Sequence, residues 1–279
     1  MRRLVSEETR RRFKRNLGLQ IGLLMLFAIV VVSLAGTSII PFDPVEIDFG
    51  NILHPPGLPH LFGTDDLGRD VLARVVAASW VDLQVVSICV VLPFLIGSTI
   101  GLVSGYFGGW IDTLIMRLVD VLWAFPFYVL VISIVGALGP STTNIYIAFS
   151  LVVWISFARI VRGEVLLARR LEYTQAVSVL GYSHLRIMLR HVLPNVITPA
   201  IVFMMADVVL TILGVTSLGF LGFGIQPPTP EWGSMIADGR NFIQDGWWIS
   251  FFPGLAIVFV GIAFTLIGDG LDDLLRPKA

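Results

Sequence analysis

The sequence predicts an all-α polytopic membrane protein with six transmembrane helices, and three observations carry that prediction. Hydrophobic residues make up 56% of the chain and charged residues only 14%, where a soluble domain holds about 25% charged residues. The apolar residues fall into six runs of membrane length, since about 20 residues rising about 1.5 Å each cross the hydrocarbon core of a bilayer. Basic residues gather on one side of those runs. A mean hydropathy of +0.85, spread evenly along the chain, does not fit a single soluble core. The formal net charge of −1 averages over two unlike sides and says nothing about partners.

Taken in order, residues 1–16 form a tail with seven basic residues, followed by the first apolar run, Leu17–Ile40. That run exceeds the roughly 7–15 apolar residues of a secretory signal, so it reads as an uncleaved first span. Residues 41–80 form an outer segment rich in proline and glycine, with Asp43, Glu46, Asp48, Asp65, Asp66 and Asp70. A core of five further spans occupies residues 81–272. They run near Val81–Phe107, Thr113–Leu138, Asn144–Ala168, Val196–Phe223 and Trp247–Gly268. Tyr106-Phe107-Gly108-Gly109 and Gly139-Pro140 supply the turn chemistry between the second, third and fourth spans. A polar loop, residues 169–194, precedes the fifth span, and a second outer segment, Gly224–Asp245, precedes the sixth. Residues 273–279 form the C-terminal tail.

The charge count sets the orientation. Sixteen of the nineteen basic residues, Arg117 included, fall on one side of six spans; Arg69, Arg74 and Arg240 fall on the other. The positive-inside rule then places both termini and the 169–194 loop in the cytoplasm. Cys89 is the sole cysteine, inside an apolar run, so an internal disulfide is excluded and it reads as a packed core thiol.

Catalysis finds no support in the motifs. Neither Lys14 nor Lys278 follows a glycine, so a Walker-type phosphate loop is excluded. His-Glu-x-x-His, paired-cysteine zinc spacing and Gly-x-Ser-x-Gly are all missing. His54 and His60 lie in the outer segment and His184 and His191 in the inner loop, on opposite sides of the membrane. The chain reads as a transport subunit with no catalytic residue, no metal site and no cofactor of its own.

Within the spans, Gly97, Gly101 and Gly105 form a small-xxx-small face for close helix approach, and Gly254, Gly261 and Gly268 recur at sevens. Both patterns are also what ordinary membrane packing produces. Pro93 and Pro126 are candidate kinks in the second and third spans. Asp207, in the fifth span, is either a translocation-pathway residue or a carboxylate capped by neighbouring hydroxyls or an outside partner. Asp120 is spaced to pair with Arg117 along its helix. A single deep acid is thin support for proton coupling, so a secondary transporter or channel ranks below a driven transporter.

The 169–194 loop holds Glu172, Tyr173, Gln175, Ala176, His184, Arg186, Arg190 and Pro194, with short helices broken at Gly181. Leu185, Met188 and Leu189 give the second helix an apolar stripe suited to a partner groove, and the arginines suit acidic partner residues. The loop resembles the EAA signature of bacterial ABC-importer permeases: Gln175-Ala176-Val177, then Gly181, then His191-Val192-Leu193-Pro194. Ala176, Gly181, Leu193 and Pro194 match that pattern; Gln175, Val177 and His191 depart from it. Further stretches resemble the DppC/OppC-type dipeptide and oligopeptide permeases in the expected order. They are Gly63-Thr64-Asp65-Asp66-Leu67-Gly68-Arg69-Asp70, Gly105-Tyr106-Phe107-Gly108-Gly109, Gln226-Pro227-Pro228-Thr229-Pro230-Glu231-Trp232-Gly233 and Phe252-Pro253-Gly254.

The resemblance implies a type I ABC-importer permease fold in a bacterial cytoplasmic membrane. It implies a second, DppB/OppB-like permease, two ATPase subunits that bind ATP and magnesium, and an extracytoplasmic binding protein. Glu172–Arg190 would be the helix that couples to the ATPases. Di- and oligopeptides are the implied cargo, with nickel, glutathione and other small solutes sharing the architecture. No nucleic-acid partner is implied.

Overall fold

A computed structural model describes residues 12–275, which are helical with no strand among them. The expectations placed on residues 1–11 and 276–279, including Arg276 and Lys278, lie outside the described residues. Five helices are individually long and apolar enough to cross a membrane, and a sharply bent pair supplies a sixth crossing.

Helix α1, Leu17–Ile39, starts where the Asn16 side chain accepts the Leu19 N–H at 2.9 Å. Helix α2, Val71–Phe107, begins at Val71 rather than Val81. Asp70 caps it, accepting the Ala73 N–H at 2.7 Å. Its buried Arg74 is matched by Asp65 at 3.4 Å, which is how a charged residue enters the helix. At 37 residues α2 is about 55 Å long, against a hydrocarbon core of about 30 Å, so it projects beyond the membrane. Pro93 sits inside it without ending it.

The expected third span, Thr113–Leu138, is two helices, α3 (Gly109–Trp123) and α4 (Phe127–Leu138), bent by 88°. Pro126 causes the break: it has no N–H for the helical ladder and forces the residue before it out of the helical region. Two ion pairs tie α3 to helix α5, Thr142–Ala168. Arg162 grips Asp112 at 2.5 and 2.6 Å, and Arg159 reaches Asp120 at 2.5 Å while lying over the Trp123 ring. Asp120 therefore pairs across helices with Arg159, not along its own helix with Arg117.

The bent pair counts as one crossing because α2 and α5 run parallel. Gly97 lies against Trp154 and Phe157, Gly101 against Ala158, and Gly105 against Arg162 and Val165. Sequence order rises together on both helices, so the chain between them must return across the membrane once. A methyl at Gly97 or Gly101 would meet the Trp154 or Ala158 carbonyl, which is the close approach that small residues permit in membranes. Gly268 and Gly261 face Met205 and Val209, while Gly254 faces open space.

After α5 come α6 (Glu172–Val179), α7 (His184–Ile187) and α8 (Leu193–Val196), then α9 (Thr198–Phe220), α10 (Trp232–Gly239) and α11 (Trp248–Leu275). Helix α11 packs antiparallel to α1, with Gly270 against Leu19 and Asn16 bonded to Asp273 at 3.2 Å. Asn16, Asp273 and the 169–196 loop thus share one face of the bundle, here the loop face. Residues 41–70 and 221–247 share the opposite, platform face. The core centres on α5, whose Phe149, Phe157, Val161 and Val165 are fully buried against α2, α4 and α9.

Candidate coupling loop and outer platform

The loop face is built on the end of α2. Tyr106 Oη and His184 Nδ1 lie 2.9 Å apart, bridging α2 to α7. Arg169, at the end of α5, donates to the Gly105 and Tyr106 carbonyls at 3.2 and 3.4 Å. The buried Thr174 hydroxyl donates to the Ala168 carbonyl at 2.9 Å and fixes α6 against α5. Between α6 and α7, Gly181 has φ +75°, a left-handed conformation that other residues reach at a cost. Pro194 cannot continue an α ladder, and before it Leu193 N–H bonds to the Met188 carbonyl, five residues back, in the π-helical turn Met188–Val192. Arg186 lies 4.2 Å over the Tyr182 ring, and Tyr182 stacks on His191.

This scaffold presents apolar side chains outward. Val179 is 88% exposed, Leu180 70% and Leu185 62%, while Ile187, Met188 and Val192 are buried beneath them. Glu172, Tyr173, Gln175, Ala176, Gly181, His184, Arg186, Arg190 and Pro194 are all exposed on the same loop. Met188 therefore belongs to the core, not to the outward stripe of Leu185 and Leu189. An open groove of 440 Å³ beneath α6 is lined by Tyr106, Arg169, Arg170, Thr174, Gln175, Ser178 and Val179.

The platform face is rigid for a different reason. Asp65 binds Arg69 at 2.7 Å and Arg74 at 3.4 Å, and His60 Nδ1 lies 2.9 Å from Asp70. Trp248 Nε1 donates to the Thr64 carbonyl at 2.9 Å, and Phe62 stacks on Phe252 at 3.8 Å. Burial raises the Asp238 carboxyl above its ordinary range, and the negative charge of Asp66 adds to the effect. Asp65, Asp70 and Glu231 are spent inside the fold; Asp43, Glu46 and Asp48 remain on the surface. Asp48 is held below its ordinary range by donation from Asn51 and the Gly50 N–H.

Asp207 is buried in α9, and among the described residues its Oδ2 has no hydrogen-bond partner. No hydroxyl caps that oxygen, and Cys89 lies within its electrostatic reach. The Tyr106–His184 bridge was invisible in the sequence because 78 residues separate its ends. The only signal toward it was that both residues sit beside recognised turn and loop motifs.

A helical bundle with an exposed apolar loop on one face fits what sequence comparison returns. Residues 97–279 match the model of the binding-protein-dependent transport system inner membrane component. Residues 6–56 match the N-terminal transmembrane domain of oligopeptide transport permease C. The chain belongs to this permease family. The dipeptide transport system permease protein DppC of Alkalihalophilus pseudofirmus is 40% identical over 97% of this chain and 89% of its own. The DppC of Haemophilus influenzae is 39% identical over 95% and 92%. The glutathione transport system permease protein GsiD of Escherichia coli is 38% identical over 96% and 89%. The chain is a permease subunit of the ABC transport class and a multi-pass protein of the inner membrane.

Proposed function

We propose that the permease imports di- or oligopeptides as one half of a heterodimeric channel, powered by two separate ATPase subunits and fed by an extracytoplasmic binding protein. ATP and magnesium bind those ATPases. The loop face, with Asn16 and Asp273 on it, is cytoplasmic, in keeping with the charge count. The platform face receives the binding protein. Relatives named for dipeptide transport support the cargo assignment, and the glutathione permease supports a small peptide-like solute more broadly.

The observation that carries the coupling role is the exposure of Val179 and Leu180 on a loop otherwise tied down by Tyr106, Arg169 and Thr174. A merely solvated loop has no need of a rigid seat or a projecting apolar tip. Docked in an ATPase groove, α6 and α7 pass nucleotide-driven motion through His184–Tyr106 to α2 and through Thr174 to α5. Such coupling requires the docked loop to favour a different bundle state in each nucleotide state. Asp207, unpartnered on α9, is assigned to the translocation path.

The test is the double variant Val179→Asp/Leu180→Asp in proteoliposomes holding both permeases and the ATPases. Burying a valine or leucine is worth about 1.5–3 kcal/mol, and about 1.4 kcal/mol is tenfold in affinity. Dipeptide uptake and stimulated ATP hydrolysis are therefore expected to fall at least about tenfold, with the melting temperature of the isolated permease unchanged. Full uptake by this variant would overturn the coupling role.

A further inference from the structure

Two fully buried carboxyl groups meet at the platform end of the bundle with no cation beside them among the described residues. Asp82, on α2, is 1% exposed, and Glu231, at the start of α10, is 0% exposed. Asp82 Oδ2 accepts the Trp232 N–H at 3.0 Å. Glu231 accepts the Gly233 N–H at 2.6 Å and the Ser234 N–H at 2.8 Å. Trp232 directly follows Glu231, so the Asp82–Trp232 bond brings the two carboxyl groups into one buried site. Two carboxyl groups share such a dry site only when one carries a proton, because like charges in a buried site cannot both ionise.

The charged groups on every surrounding element are engaged elsewhere. On α2, Arg74 lies with Asp65 and Arg69; on α10, Asp238 faces Asp66, Arg69 and Arg74. On α9, Asp207 acts on Cys89, while Gly219 and Thr216 are the residues that face Glu231 and Gly233. Helix α11 brings no titratable side chain before Asp269.

We infer that Asp82 and Glu231 form a proton-binding site, in which one shared proton fastens the platform helix α10 to α2 and α9. Glu231, accepting two backbone N–H groups, is the anion; Asp82 O–H donates to it. The latch is completed by Trp232, whose indole Nε1 donates to the Val75 carbonyl at 3.1 Å. Burial raises Glu231 to about 6, so from neutral pH upward it is the ionised partner and the proton rests on Asp82. Because the folded state binds a proton that the unfolded chain releases above the ordinary carboxylate range, the attachment weakens as pH rises. Loss of the proton leaves two negative charges in one dry site, and α10 must move away from α2 to separate or hydrate them.

The test combines infrared spectroscopy with amide hydrogen exchange on the purified full-length permease in nanodiscs, titrated upward from neutral pH. The expected result is a carbonyl-stretch band of a protonated carboxyl in the wild type, missing from Asp82→Asn. The amide of that variant still donates to Glu231 but has no proton to lose. As pH rises the wild-type band disappears, and protection across Trp232–Gly239, measured relative to the base-catalysed intrinsic rate at each pH, falls about tenfold, the equivalent of one unit of proton affinity. The Asp82→Asn variant keeps its protection throughout. Asp65 and Asp70 are paired with Arg69 and His60, so Asp207→Asn removes the remaining unpaired buried acid, and titration of that variant suffices if Asp82→Asn fails to fold. A band unchanged by Asp82→Asn, no band in Asp207→Asn, or protection that stays constant as the band vanishes would overturn the inference.

Discussion

At the residue scale, the glycines divide by what surrounds them. Gly101 meets the Ala158 carbonyl, so Gly101→Val must force α2 from α5 and lower stability by about 1–3 kcal/mol, read as a drop in melting temperature. Gly254 faces nothing within 4 Å, and Gly254→Val should leave the isolated permease unchanged. Gly181 has room for a side chain but sits at φ +75°, so Gly181→Ala costs about 1–2 kcal/mol locally. Faster amide exchange confined to residues 172–196, with an unaltered melting temperature, would mark that local cost. The close approach at Gly97, Gly101 and Gly105 was legible because a four-residue spacing is itself the packing pattern. The seating of His184 on Tyr106 and the meeting of Asp82 with Glu231 were not, since only the fold brings those distant residues together.

At the scale of elements, hydropathy located every crossing but not its form. Pro126 marked a break in the third span, yet the 88° bend depends on α3 being held across α5 by Asp112–Arg162 and Asp120–Arg159. A double-mutant cycle on Asp112→Asn and Arg162→Gln should return a coupling energy of about 0.5–3 kcal/mol in chemical unfolding of the purified permease. A coupling near zero would mean that the Asp112–Arg162 pair does not hold α3. Helix α2 starts early for a related reason. Arg74 and the acids before it read as loop, but Asp65 and Arg69 neutralise one another around it and Asp70 caps the helix. Charge content cannot show whether acids and arginines solvate a segment or lock it, and here they lock it.

At the scale of the whole molecule, the parallel run of α2 and α5 makes the crossings even in number, so Asn16, Asp273 and the 169–196 loop share a face. The arginine distribution predicts which face that is. Cys89 is fully buried, so single cysteines can report orientation without a background. Lys14→Cys should resist an impermeant maleimide in intact spheroplasts, and Glu46→Cys should react; the opposite pattern would invert the topology. The assignment of partners rests on a rigid loop whose tip is apolar and bare. It is tested most directly by purifying the tagged permease from native membranes and identifying by mass spectrometry what it retains. A second permease and two ATPases, retained by the wild type and with the ATPases lost from Val179→Asp/Leu180→Asp, is the predicted result. A wild-type chain recovered alone, transporting in vesicles without ATP, would contradict the account.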